Sequence, residues 1–456
     1  MADRDPFDMP PGSGDDDNNP LAEFMAQFGI QPGPDGTFNL EQLIGRLQDA
    51  MSQFSRQMAS MGGDDGSLNW SFAKDIARKT SAARGPDPVP DPSDVAAISD
   101  AVGLANLWLD QQTVFARSNA VPAAWSRAQW IENTFGTWQR LVSPVTASMA
   151  SAIGGLIGRQ AADLAGLQPM LEPMMRAASQ GMLSAQIGQA IGELSTDVVS
   201  ATDIAIPVTT SPVEALLPHN ISRFAEGLDH PLTDIRLYLA LRETARVRLF
   251  SRVGWLGPQL HALIEHYARG ITIDASAIEE ALESQLQGDL TPSALEEIGN
   301  TVAGTLFQPT RTDEQLEILG RLETLVALVE GWVDDVVTTT TSELMPHSNA
   351  LLEVVRRRRA AGGPAENALK MLLNLELRPR RVRDAANLWA SVRTARGTEA
   401  RDAVWAHPDL IPTGADLDDP LGFAEHGRRP ETPTDDDDMD AQLEELLRQE
   451  RERPED

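Results

Sequence analysis

Apolar residues recur at three- and four-residue spacing along most of the chain between residues 91 and 413, which is the periodicity of amphipathic helices. Prolines, acidic residues and hydroxyl-bearing residues stand between one apolar run and the next, where helices start and stop. No repeat of fixed period is evident, so the pattern does not predict a solenoid. It predicts helices near 93–115, 122–141, 144–165, 167–197, 220–229, 232–252, 257–270, 274–288, 292–306, 312–342, 347–361, 364–374 and 379–406.

Two short stretches depart from the helical pattern. They read DIAIPVTT and VEALLP, are rich in β-branched or apolar residues, and are bounded by Pro and Ser. The sequence therefore predicts a mainly α fold with one small β element, a hairpin or an edge pair within Ile204–Leu217.

The helical pattern is absent or weak at both ends of the chain. Residues 1–37 are rich in Pro, Gly, Asp and Asn and are predicted to form a disordered acidic segment. Residues 38–90 are predicted to hold short helices, one of them near 70–79, and a Pro-rich linker. The helical domain is then expected over 91–413, followed by a disordered acidic tail over 414–456.

Composition and charge narrow the functions that the chain can have. Its 456 residues carry a net charge of −30, of which roughly −9 lies in 1–66 and roughly −11 in 412–456. Such a chain repels phosphate backbones, so no nucleic-acid partner is expected despite the run RRRR at 356–359. Without cysteine, a metal would need His, Asp or Glu ligands. No apolar run is long enough for a membrane span and no secretory signal is visible, so a cytoplasmic location is expected.

The stretch RLYLALRETARVRLF places the charged motif RETAR, residues 242–246, in an apolar helix. Its first part, LYLAL, is apolar on every side, so the helix is expected to be buried there. Arg242 and Arg246 lie one turn apart on one face, and Glu243 can reach Arg246. Buried charges are costly unless they are paired, so the pattern predicts an ion-pair cluster around these three residues.

The surroundings of this helix resemble the zincin-like metallopeptidase family, type 2. The resemblance rests on LLPHNISRFAEGLDHPLTDIRLYLALRETARVRLFSRVGWL, with AQIGQAIGELSTDV before it and LVALVEGWVDDV, LELRPRRVRDAANLW and RDAVWAHPDLIPTGADLDDP after it. These segments follow the family's order over roughly residues 180–425. The resemblance implies a zincin-like helical body and, in members with an intact His-Glu-x-x-His motif, a zinc-dependent peptidase.

The resemblance also assigns the positions of a zinc site. Glu243 matches the general base, whereas Arg242 and Arg246 occupy the positions of the two histidine ligands. The implied third ligand comes from a downstream Glu-Gly-His, and the matching EGWVDD here has Glu330 and, in the place of the histidine, Trp332. A guanidinium has no lone pair to offer a cation, so no metal is expected at these positions. Restoring both histidines is expected to destabilise the protein or to leave it metal-poor, because Trp332 still occupies the third position.

A charge balance follows from the same positions. Glu330 and Glu243, if buried without a metal, each need a cation nearby. We therefore hypothesise that Arg242 or Arg246 pairs with Glu330 or Asp334, so that a guanidinium stands where zinc stood. A structure with Glu330 far from both arginines would contradict this hypothesis.

The histidines offer a second route to a metal site. His261 and Glu265 share a helix face and His266 points away from it, but no third ligand is identifiable, which favours a structural role. His347 and His407 stand beside prolines at or near helix ends, where capping is the expected role.

Two functions from different classes remain. The first is a non-catalytic relative of a zinc peptidase that binds an unknown protein or peptide and needs no cofactor. The alternative is an active zinc-dependent hydrolase with Glu243 as general base and displaced ligands such as His219, His230 or His261. Zinc content and the effect of a chelator on the melting temperature separate the two.

Overall fold

The computed structural model describes residues 68–160, 168–270, 312–361, 364–373, 375–377 and 380–427. The predictions of disorder over 1–37, of helices near 274–288 and 292–306, and of a tail beyond 427 fall outside these described residues. Within them the fold is mainly α, as the sequence predicts. No helix in the described part of the chain is long and apolar enough to cross a membrane.

Helices make up most of the described part of the chain, and two short strands lie between them. In chain order the elements are α1 (Trp70–Ala83), α2 (Pro92–Leu109), β1 (Pro122–Ala124), α3 (Arg127–Gln160), α4 (Gln168–Asp197), β2 (Glu214–Leu216), α5 (Pro218–Ala225), α6 (Leu232–Arg252), α7 (Leu256–Arg269), α8 (Asp313–Thr341), α9 (Ser348–Ala360), α10 (Pro364–Leu373), α11 (Val382–Ala403), α12 (Gly414–Asp418) and α13 (Pro420–His426). Two short 3-10 helices, Val404–Ala406 and Pro408–Leu410, connect α11 to α12.

Helix α3 joins two helices that the sequence separates before Pro144. A proline inside a helix removes a backbone hydrogen bond and favours a break there. In the structure Leu141, Val142 and Val145 are buried on either side of it. Packing of this apolar surface therefore holds one continuous helix through the proline.

The β element differs from the predicted hairpin. VEALLP does contain a strand, β2, but its partner is β1, and the two strands are parallel with Ala123 opposite Ala215. DIAIPVTT forms turns instead of a strand. Its Ala205 has a left-handed φ of 58°, and the carbonyl of Pro207 lies 2.8 Å from Nε2 of His261. At Pro207 a side chain, and not a neighbouring strand, therefore binds the backbone carbonyl.

Helix α6 is the buried helix of the fold. Every residue from Tyr238 to Leu249 is buried, including the charged ones. Helices α2, α5, α8 and α9 and strand β2 pack around it. The sequence correctly predicts its bounds and its burial, and the neighbours explain why charges on α6 must find partners inside the protein.

The folded body extends beyond both of its predicted boundaries. Helix α1, placed by the sequence in the segment 38–90, packs against α4, where Gly188 and Gly192 let the helices touch. A Cβ at Gly188 would lie 2.2 Å from the carbonyl oxygen of Ala73. At the other end, α12 and α13 lie within the predicted tail and bury Leu417 and Phe423. The few apolar residues of 414–427 suffice for folding because α11 offers them a surface.

Candidate functional site

The crossing of α6 and α8 brings two arginines against two carboxylates. Arg242 and Arg246 lie one turn apart on α6, and Glu330 and Asp334 lie one turn apart on α8. Nη1 of Arg242 donates to Oδ1 of Asp334 at 2.7 Å, and its Nη2 donates to Oε2 of Glu330 at 2.8 Å. Nε of Arg246 donates to Oε1 of Glu330 at 2.6 Å. The predicted pairing of these arginines with Glu330 and Asp334 is confirmed.

Helix α9 adds two more arginines to this cluster. Nη2 of Arg356 lies 3.0 Å from Oδ2 of Asp334, and Arg359 forms an ion pair with Glu330. Four guanidinium groups thus meet two carboxylates in a buried site. Burial alone would raise the pKa of Glu330, but Arg246, Arg359 and Arg242 hold it well below its usual range. The surrounding arginines therefore favour the ionised form of Glu330.

Glu243 points to a different side of α6, towards the segment before β2. Its Oε2 accepts hydrogen bonds at 2.6 Å from the hydroxyls of Ser200 and Thr202, and its Oε1 accepts one at 3.1 Å from the backbone N–H of Thr202. Nη1 of Arg246 lies 3.6 Å from Oε2. Burial raises the pKa of Glu243 to about 7, although Arg246 and the two hydroxyls oppose the shift. The carboxylate that the resemblance matches to a general base is thus occupied by hydrogen bonds to Ser200 and Thr202.

Trp332 does not lie at the arginine cluster. A residue two positions after Glu330 on a helix points about 200° away from it. The indole Nε1 of Trp332 donates to Oδ1 of Asp402 at 2.9 Å, and its ring packs against Phe115 and Arg401. The third-ligand position implied by the resemblance is therefore not brought to the motif helix, whereas Glu330 is.

A cleft of about 810 Å³ opens beside the cluster. Its floor includes Arg242, Arg246 and Glu330, and Glu243 is not part of its lining. The wall combines aliphatic and cationic side chains. The aliphatic group consists of Val198, Val199, Ile204, Ala205, Leu239, Val326, Val355, Ala360, Ala361, Leu369, Leu377 and Val382, and the arginines beyond the floor are Arg356, Arg358, Arg359, Arg380 and Arg383.

The candidate histidine ligands lie elsewhere, and no histidine of the described residues lines the cleft. The tilted rings of His230 and His347 contact each other with centroids 4.8 Å apart, and Nε2 of His261 lies 2.8 Å from the carbonyl oxygen of Pro207. His219 is half-buried on α5, and burial lowers its pKa.

Three further side chains that were considered as metal ligands contact other groups of the protein. Glu265 pairs with Arg269, and His266 pairs with Glu314. His407 accepts a hydrogen bond from the backbone N–H of Asp409 and caps a 3-10 helix, as predicted. For His347 the capping prediction is wrong: it stands at the N-cap of α9, but its side chain makes no capping hydrogen bond there.

The donor set at the motif does not fit a zinc ion. Arg242 and Arg246 carry no lone pair, and both donate to the carboxylates that a metal would need. In the described part of the chain, no three His, Asp or Glu side chains come together in a way that could hold a metal ion. The cluster is an ion-pair network, formed in part by the residues at the positions that the resemblance assigns to a zinc motif.

Comparison with known proteins identifies the family to which this protein belongs. The family model for zincin-like metallopeptidases matches residues 68–424. The chain belongs to the zincin-like metallopeptidase family. The match covers α1 and most of α13, in agreement with the wider boundaries of the folded body. No curated protein sequence matches the chain.

One solved structure resembles this zincin-like protein over most of its length. It is a protein of Chloroflexus aurantiacus called a "putative hydrolase with a novel fold", with 18% sequence identity and a TM-score of 0.53. The similarity covers 78% of this chain and 98% of that one. At this identity the likeness concerns the fold.

Some residues of the site cannot be recognised in the sequence. Ser200 and Thr202, which bind Glu243, lie in a segment without a regular pattern, and no signal in the sequence identifies them. Arg356 and Arg359 stand in the run RRRR, which as a sequence pattern suggests only contact with nucleic acid. Their three-residue spacing at the end of a helix could have shown that they share one face.

Proposed function

We propose that this zincin-like protein has lost the catalytic zinc site of its family and uses its cleft to bind a protein or a peptide. The observation that carries the proposal is the position of the two guanidinium groups. Each stands in a ligand position and donates at 2.6–2.8 Å to a carboxylate of α8. The fixed positive charge of arginine takes over the electrostatic role of the metal.

The ion-pair network also opposes later binding of zinc. A metal at this position would have to displace two buried guanidinium groups from their carboxylates, and a buried charge without a partner is strongly destabilising. Glu243 could act as a base only after giving up its hydrogen bonds to Ser200 and Thr202. These features support binding without hydrolysis.

The alternative, a zinc site with displaced ligands, has less support. It needs His219, His230 or His261 near Glu243, but their observed contacts are with other groups, and none lines the cleft. A measurement of the metal content of the protein tests this alternative as well.

The test is the metal content of the full-length protein purified without a histidine tag. We expect zinc well below one ion per chain, and a melting temperature that a chelator leaves unchanged. Zinc near one ion per chain, together with a lower melting temperature after chelation, would overturn the proposal.

A further inference from the structure

The cleft is richer in cations than the rest of this acidic protein. Seven arginines line it, and only four carboxylates do so: Asp197, Asp203, Glu330 and Glu366. At the end formed by α6, α8 and α9, four guanidinium groups share the carboxylates of Glu330 and Asp334. Since the whole chain carries a net charge of −30, this cluster of arginines contrasts with the acidic character of the protein.

Two of these arginines have hydrogen-bonding capacity to spare. Nη1 of Arg359 is buried and makes no hydrogen bond to any residue that the structure describes. Arg380 is exposed at the rim, and no hydrogen bond or ion pair is observed for it within the described residues. A buried donor without a partner costs free energy. An anionic group that enters the cleft and accepts a hydrogen bond from Arg359 would therefore bind more strongly than one that is attracted to an exposed charge.

The rest of the cleft wall favours a ligand that has apolar groups as well as negative charge. Aliphatic side chains such as Val198, Ile204, Leu369 and Leu377 line the cleft beside the arginines. A ligand that satisfies both surfaces carries carboxylates and aliphatic groups together. A volume of about 810 Å³ admits a short stretch of extended peptide of this kind.

The chain itself contains such a peptide. Residues 431–446, ETPTDDDDMDAQLEEL, hold eight Asp and Glu and no Lys or Arg, with leucines at the end of the stretch. Within the described residues the chain passes beside the cleft rim shortly before this segment, because Arg381 binds the carbonyl of Gly414 at 2.7 Å and the carboxylate of Asp418. Arg381 directly follows Arg380 of the cleft rim. The residues between 427 and the first Asp of DDDD can span about 25 Å when extended.

We propose that the acidic segment 431–446 occupies the cleft of its own chain, with its carboxylates against Arg359 and Arg380. The inference rests on the proposed function, since it names the chemical class of peptide that a cleft without zinc binds: an aspartate-rich segment with aliphatic residues. A tethered ligand of this kind competes with acidic peptides from outside through its high effective concentration.

Disulfide trapping in the full-length chain tests the proposal, because the natural sequence has no cysteine. One variant combines Ala441→Cys with Ala361→Cys in the cleft wall, and the control combines Ala441→Cys with Ala395→Cys, an exposed residue of α11 outside the cleft. At low salt we expect the cleft pair to oxidise at least about tenfold faster than the control pair. In about 0.5 M salt the two rates should converge. Equal rates at low salt would overturn the proposal.

A binding measurement provides an independent outcome that needs no engineered disulfide. A labelled peptide of residues 431–446 is titrated into the full-length wild type and into a full-length chain in which Asp435, Asp436, Asp437 and Asp438 are all changed to Asn. We expect at least about tenfold tighter binding to the changed chain, in which the tethered competitor is weakened. The substitution Arg359→Gln should remove this gain, and Arg396→Gln, at an exposed site outside the cleft, should not.

Equal affinity for both chains, or no binding to either, would overturn the proposal. The zinc content of the same samples reports separately on the proposed function. A failure of cleft occupancy therefore remains distinguishable from the presence of an active metal site.

Discussion

At the scale of single residues, Glu330 is the carboxylate on which the buried charges converge. It binds Arg242, Arg246 and Arg359. In Glu330→Gln the three guanidinium groups lose their anionic partner while they stay buried, so we expect a loss of about 3–5 kcal/mol in the free energy of unfolding. Urea denaturation measures it. The control is Glu353→Gln, in a largely exposed ion pair, where the loss should be much smaller. Equal losses in both variants would contradict a central role for Glu330.

The raised pKa of Glu243 predicts that the stability of the protein depends on pH. Its pKa is about 7 in the folded protein, against an ordinary value of 4.5. The folded state therefore retains a proton that the unfolded chain releases. This contribution to stability is complete below the ordinary pKa and is lost as the pH rises through about 7, and its size is roughly 3 kcal/mol.

The variant Glu243→Gln does not titrate at this position. We expect its free energy of unfolding to fall less than that of the wild type between about pH 5 and about pH 8, as followed by urea denaturation at several pH values. The other titrating groups, among them His219 and His261, are common to both proteins, so their effects cancel in the difference. Identical pH profiles would show that Glu243 is ionised in the folded state.

The residue scale also shows what the sequence can and cannot predict. The pairing of Arg242 and Arg246 with Glu330 and Asp334 is predictable because helical spacing and the cost of buried charge leave few other solutions. The engagement of Glu243 by Ser200 and Thr202 is not predictable in this way. It depends on the path of an irregular segment, which tertiary contacts determine.

At the scale of elements, the close contact of α8 with α11 holds Glu330 and Asp334 in place. A Cβ at Gly331 would lie 2.6 Å from Cβ of Ala385 and 2.7 Å from the backbone carbon of Ala385. Gly331→Ala should therefore push the two helices apart and lower the free energy of unfolding by about 1–3 kcal/mol.

The matched control lies on the same helix. Gly320 has no atom within 4 Å of an added Cβ, so Gly320→Ala should stabilise the protein by up to about 1 kcal/mol through helix propensity. Thermal unfolding of both variants measures the difference. If Gly331→Ala were as stable as Gly320→Ala, the close approach of α8 and α11 would be wrong.

The elements were predictable in proportion to their periodicity. Helix α6 has the predicted bounds because its pattern is long and its ends are marked by Pro231 and Gly254. The partner of β2 could not be predicted, because β1 has three residues and no alternating pattern. Pairing between strands this distant in sequence is determined by the packing of α2 and α6 beside them.

At the scale of the whole molecule, fold and chemistry have to be considered separately. The family match covers residues 68–424, and a structure with 18% identity shares the fold. Neither determines the reaction, because function depends on the residues that a fold presents at its site. In this chain the fold still presents two positions of α6 to Glu330, whatever side chains those positions carry.

This arrangement predicts that two substitutions can rebuild a zinc site. In a variant with Arg242→His and Arg246→His, two imidazoles one turn apart would face Glu330, which gives the His, His and Glu ligands of one class of catalytic zinc. This prediction differs from the sequence-based expectation of a destabilised or metal-poor variant, because that expectation relied on Trp332, which lies about 200° around α8 from Glu330. We expect about one zinc ion per chain in this variant, as measured by elemental analysis, against far less in the wild type. Adding Glu330→Gln should abolish the gain, and a folded double variant without zinc would show that α6 and α8 no longer present a metal site.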